Sequence, residues 1–283
     1  MGNQLRTFVA CLVVGLAVPS VATAGFITRG IGGSNDPASI QAIVDLFRAD
    51  LGTPNNGNAA GPLPGGRREI NWDGGGAVTA APVGTPFAGF QNTRGALFTT
   101  PGTGFLQTPL TASQLLSINP TYGTTFGLFS PLRIFTPIGS NITDVHFFVP
   151  GTLTPATVSG FGAVFTDVDL GDSASLAFFD IDNNLLFSAN VLAGLVPDGS
   201  LSFLGAFADA GEQIFRVRVT SGTTALGPND NPSGGIDVVA LDDFIYAEPR
   251  AVARVPEPSI LVLLGVGLLA WRLSTARGAG RSV

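Results

Sequence analysis

From Phe126 to Pro249 the chain divides into about eight short apolar runs, each closed by Gly, Asp, Asn or Pro. They read "LRIFTPI", "TDVHFFVPG", "VSGFGAVFTDVDL", "ASLAFFDID", "NLLFSANV", "SLSFLGAFAD", "QIFRVRVTSG" and "IDVVALDDFIYAEP". Runs of this length at even spacing, rich in Phe and Val, cannot build a helical bundle. They specify short strands, and so many strands with turns between them point to an antiparallel β-sandwich. Within "QIFRVRV", Ile214, Arg216 and Arg218 alternate with Phe215, Val217 and Val219, which predicts one face toward a core and one carrying arginines. "AFFDIDNNLLFSA" predicts a hairpin centred on Asp182, Asn183 and Asn184.

One helix is legible. "NDPASIQAIVDLFRADLG" places Asp36 as N-cap, Pro37 at the first helical position and Gly52 just past the end. Ile40, Ile43, Val44, Phe47 and Leu51 form one apolar stripe, so residues 37–51 are expected to pack on a core. The turn-rich loop "GTPNNGNAAGPLPGG" follows, then a short strand over Glu69–Trp72 ended by Asp73 and three glycines, and another at "ALFTTPG". "LTASQLLSIN" predicts a short helix or an irregular crossing. Residues 25–254 are read as one ectodomain, its main sandwich over about 126–249, with the earlier strands completing it.

The two ends are apolar. Arg6, the run Phe8–Val18, Pro19 and the A-x-A triplet Ala22-Thr23-Ala24 compose a secretory signal peptide over residues 1–24. At the other end Ile260–Trp271 is an uncharged run, shorter than the roughly 20 residues of a comfortable bilayer span. Arg272, Arg277 and Arg281 behind it predict a cytoplasmic tail by the positive-inside rule. Pro256 and Pro258 keep the approach extended. A marginal transmembrane helix with a rigid tag at its door suits temporary inner-membrane retention followed by processing.

The order Pro256-Glu257-Pro258, short apolar helix, arginine-rich tail resembles the PEP-CTERM sorting signal over residues 255–283. The resemblance implies a Gram-negative bacterium making exopolysaccharide, and a membrane transpeptidase-like partner, exosortase, acting after signal peptidase. "GFGAVFTDVDL" through "VVALDDFIYAEP" resembles the jelly-roll ectodomain of many such proteins. "GRREINWDGGG", "NTRGALFTTPGTGF" and "SNITDVHFFVPG" are similar to a recurring unit of the same group. That resemblance implies a fold and an address and brings no activity.

Charge and chemistry narrow the function classes. All 14 basic residues are arginines, and between the terminal apolar runs ten arginines face twenty carboxylates, a balance of about −10. Such a surface excludes nucleic acid, which needs basic contacts, and leaves room for cations. Cys11, the only cysteine, lies in the signal peptide, so the mature chain has no disulfide and no thiolate site. His146 is the only histidine and so the only imidazole base for a nucleophile; no G-x-S-x-G occurs and lysine is absent. Paired carboxylates for sugar hydrolysis stay open, because such pairs meet only in three dimensions. Asp167, Asp169 and Asp172, spaced D-x-D-x-x-D, and Asp242 near the domain's end are the candidate ligands for Ca²⁺, which takes six to eight loop oxygens; turn-building is their plainer role. Trp72 before three glycines is the candidate for stacking on a sugar, against an ordinary place in the core. "NIT" at Asn141 matches a glycosylation acceptor but carries little weight in a bacterial protein. The expected protein is a non-enzymatic, exported, exosortase-sorted component of the cell surface or exopolysaccharide matrix. A carbohydrate-binding module of jelly-roll fold is the alternative, and a secreted hydrolase the third reading.

Overall fold

The computed structural model describes residues 25–74, 82–228 and 230–252. The expected signal peptide with its expected cleavage residues Ala22 and Ala24, the triplet Pro256-Glu257-Pro258 and the apolar run 260–271 lie outside them. Among the described residues no helix is long and apolar enough to cross a membrane.

Two antiparallel sheets face each other. The larger holds β1 (Phe26–Gly32), β2 (Arg67–Ile70), β3 (Val83–Gly84), β6 (Gly104–Thr108), β7 (Ile134–Ile138), β10 (Gly160–Thr166), β13 (Leu201–Ala208) and β15 (Ala240–Ala247). Its order is β1-β13-β10-β15-β7-β6-β3, with β2 pairing the second half of β15. The smaller holds β4 (Phe87–Phe90), β5 (Ala96–Thr99), β8 (Ile142–Phe147), β11 (Ser175–Phe179), β12 (Leu185–Asn190) and β14 (Arg216–Thr220), in the order β12-β11-β14-β8-β5-β4. A short ladder joins β9 (Ala156–Thr157) to β16 (Arg250–Ala251). Strands from before and after Phe126 contribute to both sheets. The mainly β, two-sheet arrangement is consistent with a jelly-roll-like sandwich.

Between the sheets lies an aromatic core. The Trp72 ring stacks on Phe135 at 3.8 Å between centroids, and Phe90, Phe98 and Phe244 surround it. The predicted hairpin forms between β11 and β12, with Asn183 in the left-handed region at φ 65° and Asp180 Oδ1 accepting the Asn184 amide at 2.8 Å.

Helix α1 (Ala38–Leu51) covers the outer face of the larger sheet. Asp36 Oδ1 accepts the Ala38 amide at 3.0 Å, the capping role its sequence position implies. Ile40, Val44 and Phe47, the buried part of its apolar stripe, pack on Val164, Phe203 and Ile245. Phe47 sits over Gly162 and Gly205; a Cβ on either would stand 2.8 Å from its ring, so only glycine lets the helix approach this closely. Three more single-turn helices, α2 (Gln91–Arg94), α3 (Ser113–Leu116) and α4 (Tyr122–Thr125), sit in the connections. Leu115, Tyr122 and Phe126 close the same outer face further along, against Ile134 and Ala240.

One buried ion pair staples the long loop after α1. Arg68 in β2, fully buried, donates from Nε and Nη2 to Glu248 at 2.7 and 2.8 Å. Its Nη1 donates to the Gly57 and Thr93 carbonyls, while Glu248 also accepts from Asn56 Nδ2 and the Leu63 amide. Nearly every polar atom of the pair is thus engaged, as a buried pair requires.

Candidate functional site

The acidic residues gather in places that follow from sheet topology. The first is a β-bulge. β10 pairs with β15 through Ala163–Phe244 and then Phe165–Leu241, so Asp242 and Asp243 together oppose Val164. Leu241 and Phe244 face the aromatic core, and the extra residue leaves both aspartates on the outer face. They meet on one hydroxyl, with Ser130 Oγ 3.2 Å from Asp242 Oδ1 and 2.7 Å from Asp243 Oδ1. Asp242 Oδ2 accepts the amides of Phe129 and Ser130. Asp73 Oδ1 accepts those of Leu132 and Arg133, and its Oδ2 lies 3.3 Å from Ser130 Oγ. Three carboxyls therefore anchor the 129–133 loop to the sheet. Beside them a cavity of about 360 Å³ is lined by Arg48, Glu69, Asn71, Arg94, Ser130 and Asp243, among others. Arg48 bridges Glu69 at 2.9 Å and Asp243 at 3.5 Å, which neutralises the wall.

Burial, then the neighbouring Asp243 charge, pushes Asp242 well above the ordinary carboxylate range. Burial raises Asp243 too, against the pull of Ser130 and Arg48. A carboxyl with a raised folded pKa keeps a proton that the unfolded chain has lost, so its contribution to stability falls as pH rises from the ordinary range toward the folded pKa. Asp167 and Asp169, below, act with the same sign. Chemical denaturation in chelator is therefore expected to show greater stability at pH 5 than at pH 8. Asp242→Asn should narrow that gap, because the variant no longer has to bury a proton-binding carboxyl at this position. An unchanged gap in the variant would mean that Asp242 is ionised in the folded protein.

The second place is one end of the larger sheet. β10 runs antiparallel to both neighbours, and its last residue, Thr166, pairs with the first residues of β13 and β15, Leu201 and Ala240. The loop after β10 and the loops before β13 and β15 must therefore converge. They bring Asp167, Asp169, Asp198, Asp230 and Asp237 into mutual electrostatic range. Asp237 Oδ2 accepts the amides of Asp169 and Leu170 and the Ser173 hydroxyl. Asp167 is 1% exposed and stands at φ 69°, a conformation uncommon outside glycine. Burial, then the charges of Asp169, Asp230, Asp237 and Asp198, push it up to about 9. Burial and three of the same neighbours push Asp169 up to about 6.

Of the residues singled out in the sequence as metal ligands, the fold brings Asp167 and Asp169 together and leaves two out. Asp172 is exposed, and Asp242 belongs to the bulge. Asp198, Asp230 and Asp237 join instead, and no local spacing announces them. Trp72 is 1% exposed, with its ring inside the core and Nε1 donating to the Asp242 carbonyl at 2.7 Å. It offers no face to a sugar. Tyr122 and Tyr246 are also fully buried, so among the described residues no Trp or Tyr forms a stacking platform.

His146 lies on the outer face of the smaller sheet, 3.1 Å from Thr99 Oγ1. Burial lowers its pKa, against the pull of Asp144. Asp144 itself accepts from Arg216 Nη1 at 2.6 Å and from Arg218 Nε and Nη2 at 3.0 and 2.8 Å. Burial raises Asp144, but Arg218 and Arg216 outweigh it and hold the carboxyl below its ordinary range. That carboxylate pairs with arginines rather than orienting the imidazole, so the arrangement lacks the third member of a triad.

The comparison with protein-family models decides what the C-terminus is. Residues 254–277 match the PEP-CTERM protein-sorting motif. The chain carries a sorting signal. The motif implies an exported protein with exosortase as its processing partner, and it contains Pro256, Glu257 and Pro258. No curated protein and no solved structure matches the chain.

Proposed function

We propose that this protein is a non-catalytic component of the cell surface or extracellular polysaccharide matrix. It is exported by its signal peptide, held briefly in the inner membrane by residues 260–271 and released through its PEP-CTERM signal. The sorting motif carries this reading, since it is the one part of the chain whose task is defined. The arrangement of ionisable groups supports the absence of catalysis. Asp242 and Asp73 hold backbone amides of the 129–133 loop, Arg48 bridges Asp243 and Glu69, and Asp144 is bound by two arginines. The burial of Trp72, Tyr122 and Tyr246 weighs against a carbohydrate-binding module that works by stacking.

The test is fractionation of the native host carrying wild-type protein or Glu257→Ala. Wild type is expected to leave the inner membrane, and the variant to accumulate there unprocessed. Identical distribution of the two would make the segment a plain anchor.

A further inference from the structure

Among the described residues, none of the ion pairs reaches the aspartates at the end of the larger sheet. Both carboxyl oxygens of Asp167, Oδ1 of Asp237 and Oδ1 of Asp230 are shielded from solvent and accept no hydrogen bond. Asp167 and Asp237 are buried almost completely, at 1% and 0% exposure. A buried carboxyl oxygen without a donor is costly, and four of them on two neighbouring loops are not explained by turn-building. Arg216 and Arg218, whose strand alternation leaves them on the outer face of the smaller sheet, are both held by Asp144.

We propose that Asp167, Asp169, Asp230 and Asp237, with Asp198 at the rim, bind one divalent cation of the calcium class. The donor set is all oxygen, without imidazole or thiolate, which suits a hard cation. A cavity of about 630 Å³ opens beside it, lined by Asn119, Thr121, Thr125, Asp198, Asp230 and Asn231 among others, with room for the remaining oxygens and for water. Calcium accepts such an irregular set of six to eight ligands, whereas magnesium demands a tight octahedron. No three or more Asp, Glu, His or Cys side chains among the described residues are already arranged as a metal centre. Binding would require the carboxylates of Asp230 and Asp198 to close on Asp167, where the ion would replace the missing donors. The site would tie together the three loops that close this end of the sandwich. It does not depend on how the protein is sorted.

The experiment is calorimetric titration of CaCl₂ and MgCl₂ into the processed protein purified from the host and freed of metal, with thermal melts in chelator, Ca²⁺ and Mg²⁺. One calcium per chain is expected. At about 100 times Kd, calcium should raise the melting temperature by roughly 5–10 °C, and magnesium by clearly less. Asp167→Asn should abolish the calcium heat and the shift, yet melt above wild type in chelator at neutral pH, because an amide, unlike the carboxyl, need not take up a proton to be buried. Asp172→Asn, at an exposed aspartate of the same loop, should bind as wild type does. Superimposable melts in all three conditions, or a calcium shift that survives in Asp167→Asn, would overturn the proposal.

Discussion

Replacing Arg68 with methionine is expected to cost about 3–5 kcal/mol of stability, because it leaves a buried carboxylate without its partner. Glu248 would keep only the Asn56 side chain and the Leu63 amide as donors, and the Gly57 and Thr93 carbonyls would lose theirs. The loss corresponds to a fall in melting temperature of roughly 10 °C for a domain of this size. Replacing both members, Arg68→Met with Glu248→Leu, should recover much of it, since the penalty lies in the orphaned charge. A single variant that melts with wild type would show that the 52–66 loop opens and lets water reach Glu248.

Trp72→Ala should be of similar size, about 3–5 kcal/mol for a large buried aromatic side chain. The indole stacks on Phe135, touches three more rings and donates to the backbone of the bulge at Asp242. Its backbone is in the left-handed region at φ 64°, a conformation a bulky residue adopts only where surrounding contacts enforce it. Trp72→Phe should lose less, since it keeps a ring and gives up the hydrogen bond. Chemical denaturation of the processed proteins measures all three. Equal stability of Trp72→Ala and wild type would place the indole outside the core.

The elements read most easily from sequence are those whose information is local. The i, i+4, i+7 spacing of Ile40, Val44 and Phe47 defines the face of α1, and Asp180 and Asn183 define a hairpin within a few residues. Alternation in "QIFRVRV" places Arg216 and Arg218 on one face, and β14 pairs with β8 so that both reach Asp144. The partnership itself spans 72 and 74 positions and is not written in either strand. The bulge was hidden for a related reason. Asp242 and Asp243 look like residues on opposite faces until the partner strand shows that they share Val164 as their opposite. The acidic end of the sheet was half visible. Asp167 and Asp169 mark the end of an apolar strand, but Asp198, Asp230 and Asp237 reach them only because β13 and β15 both flank β10. Trp72 misleads from sequence because three glycines follow it, which look like an open approach to a ligand, while its ring turns inward.

The most direct test of export and sorting is the intact mass of the mature protein isolated from the native host. Cleavage after Ala24 and processing at Pro256-Glu257-Pro258 predict a chain that begins at Gly25 and lacks Arg272, Arg277 and Arg281. A mass that includes Met1, or one that extends to Val283, would contradict it.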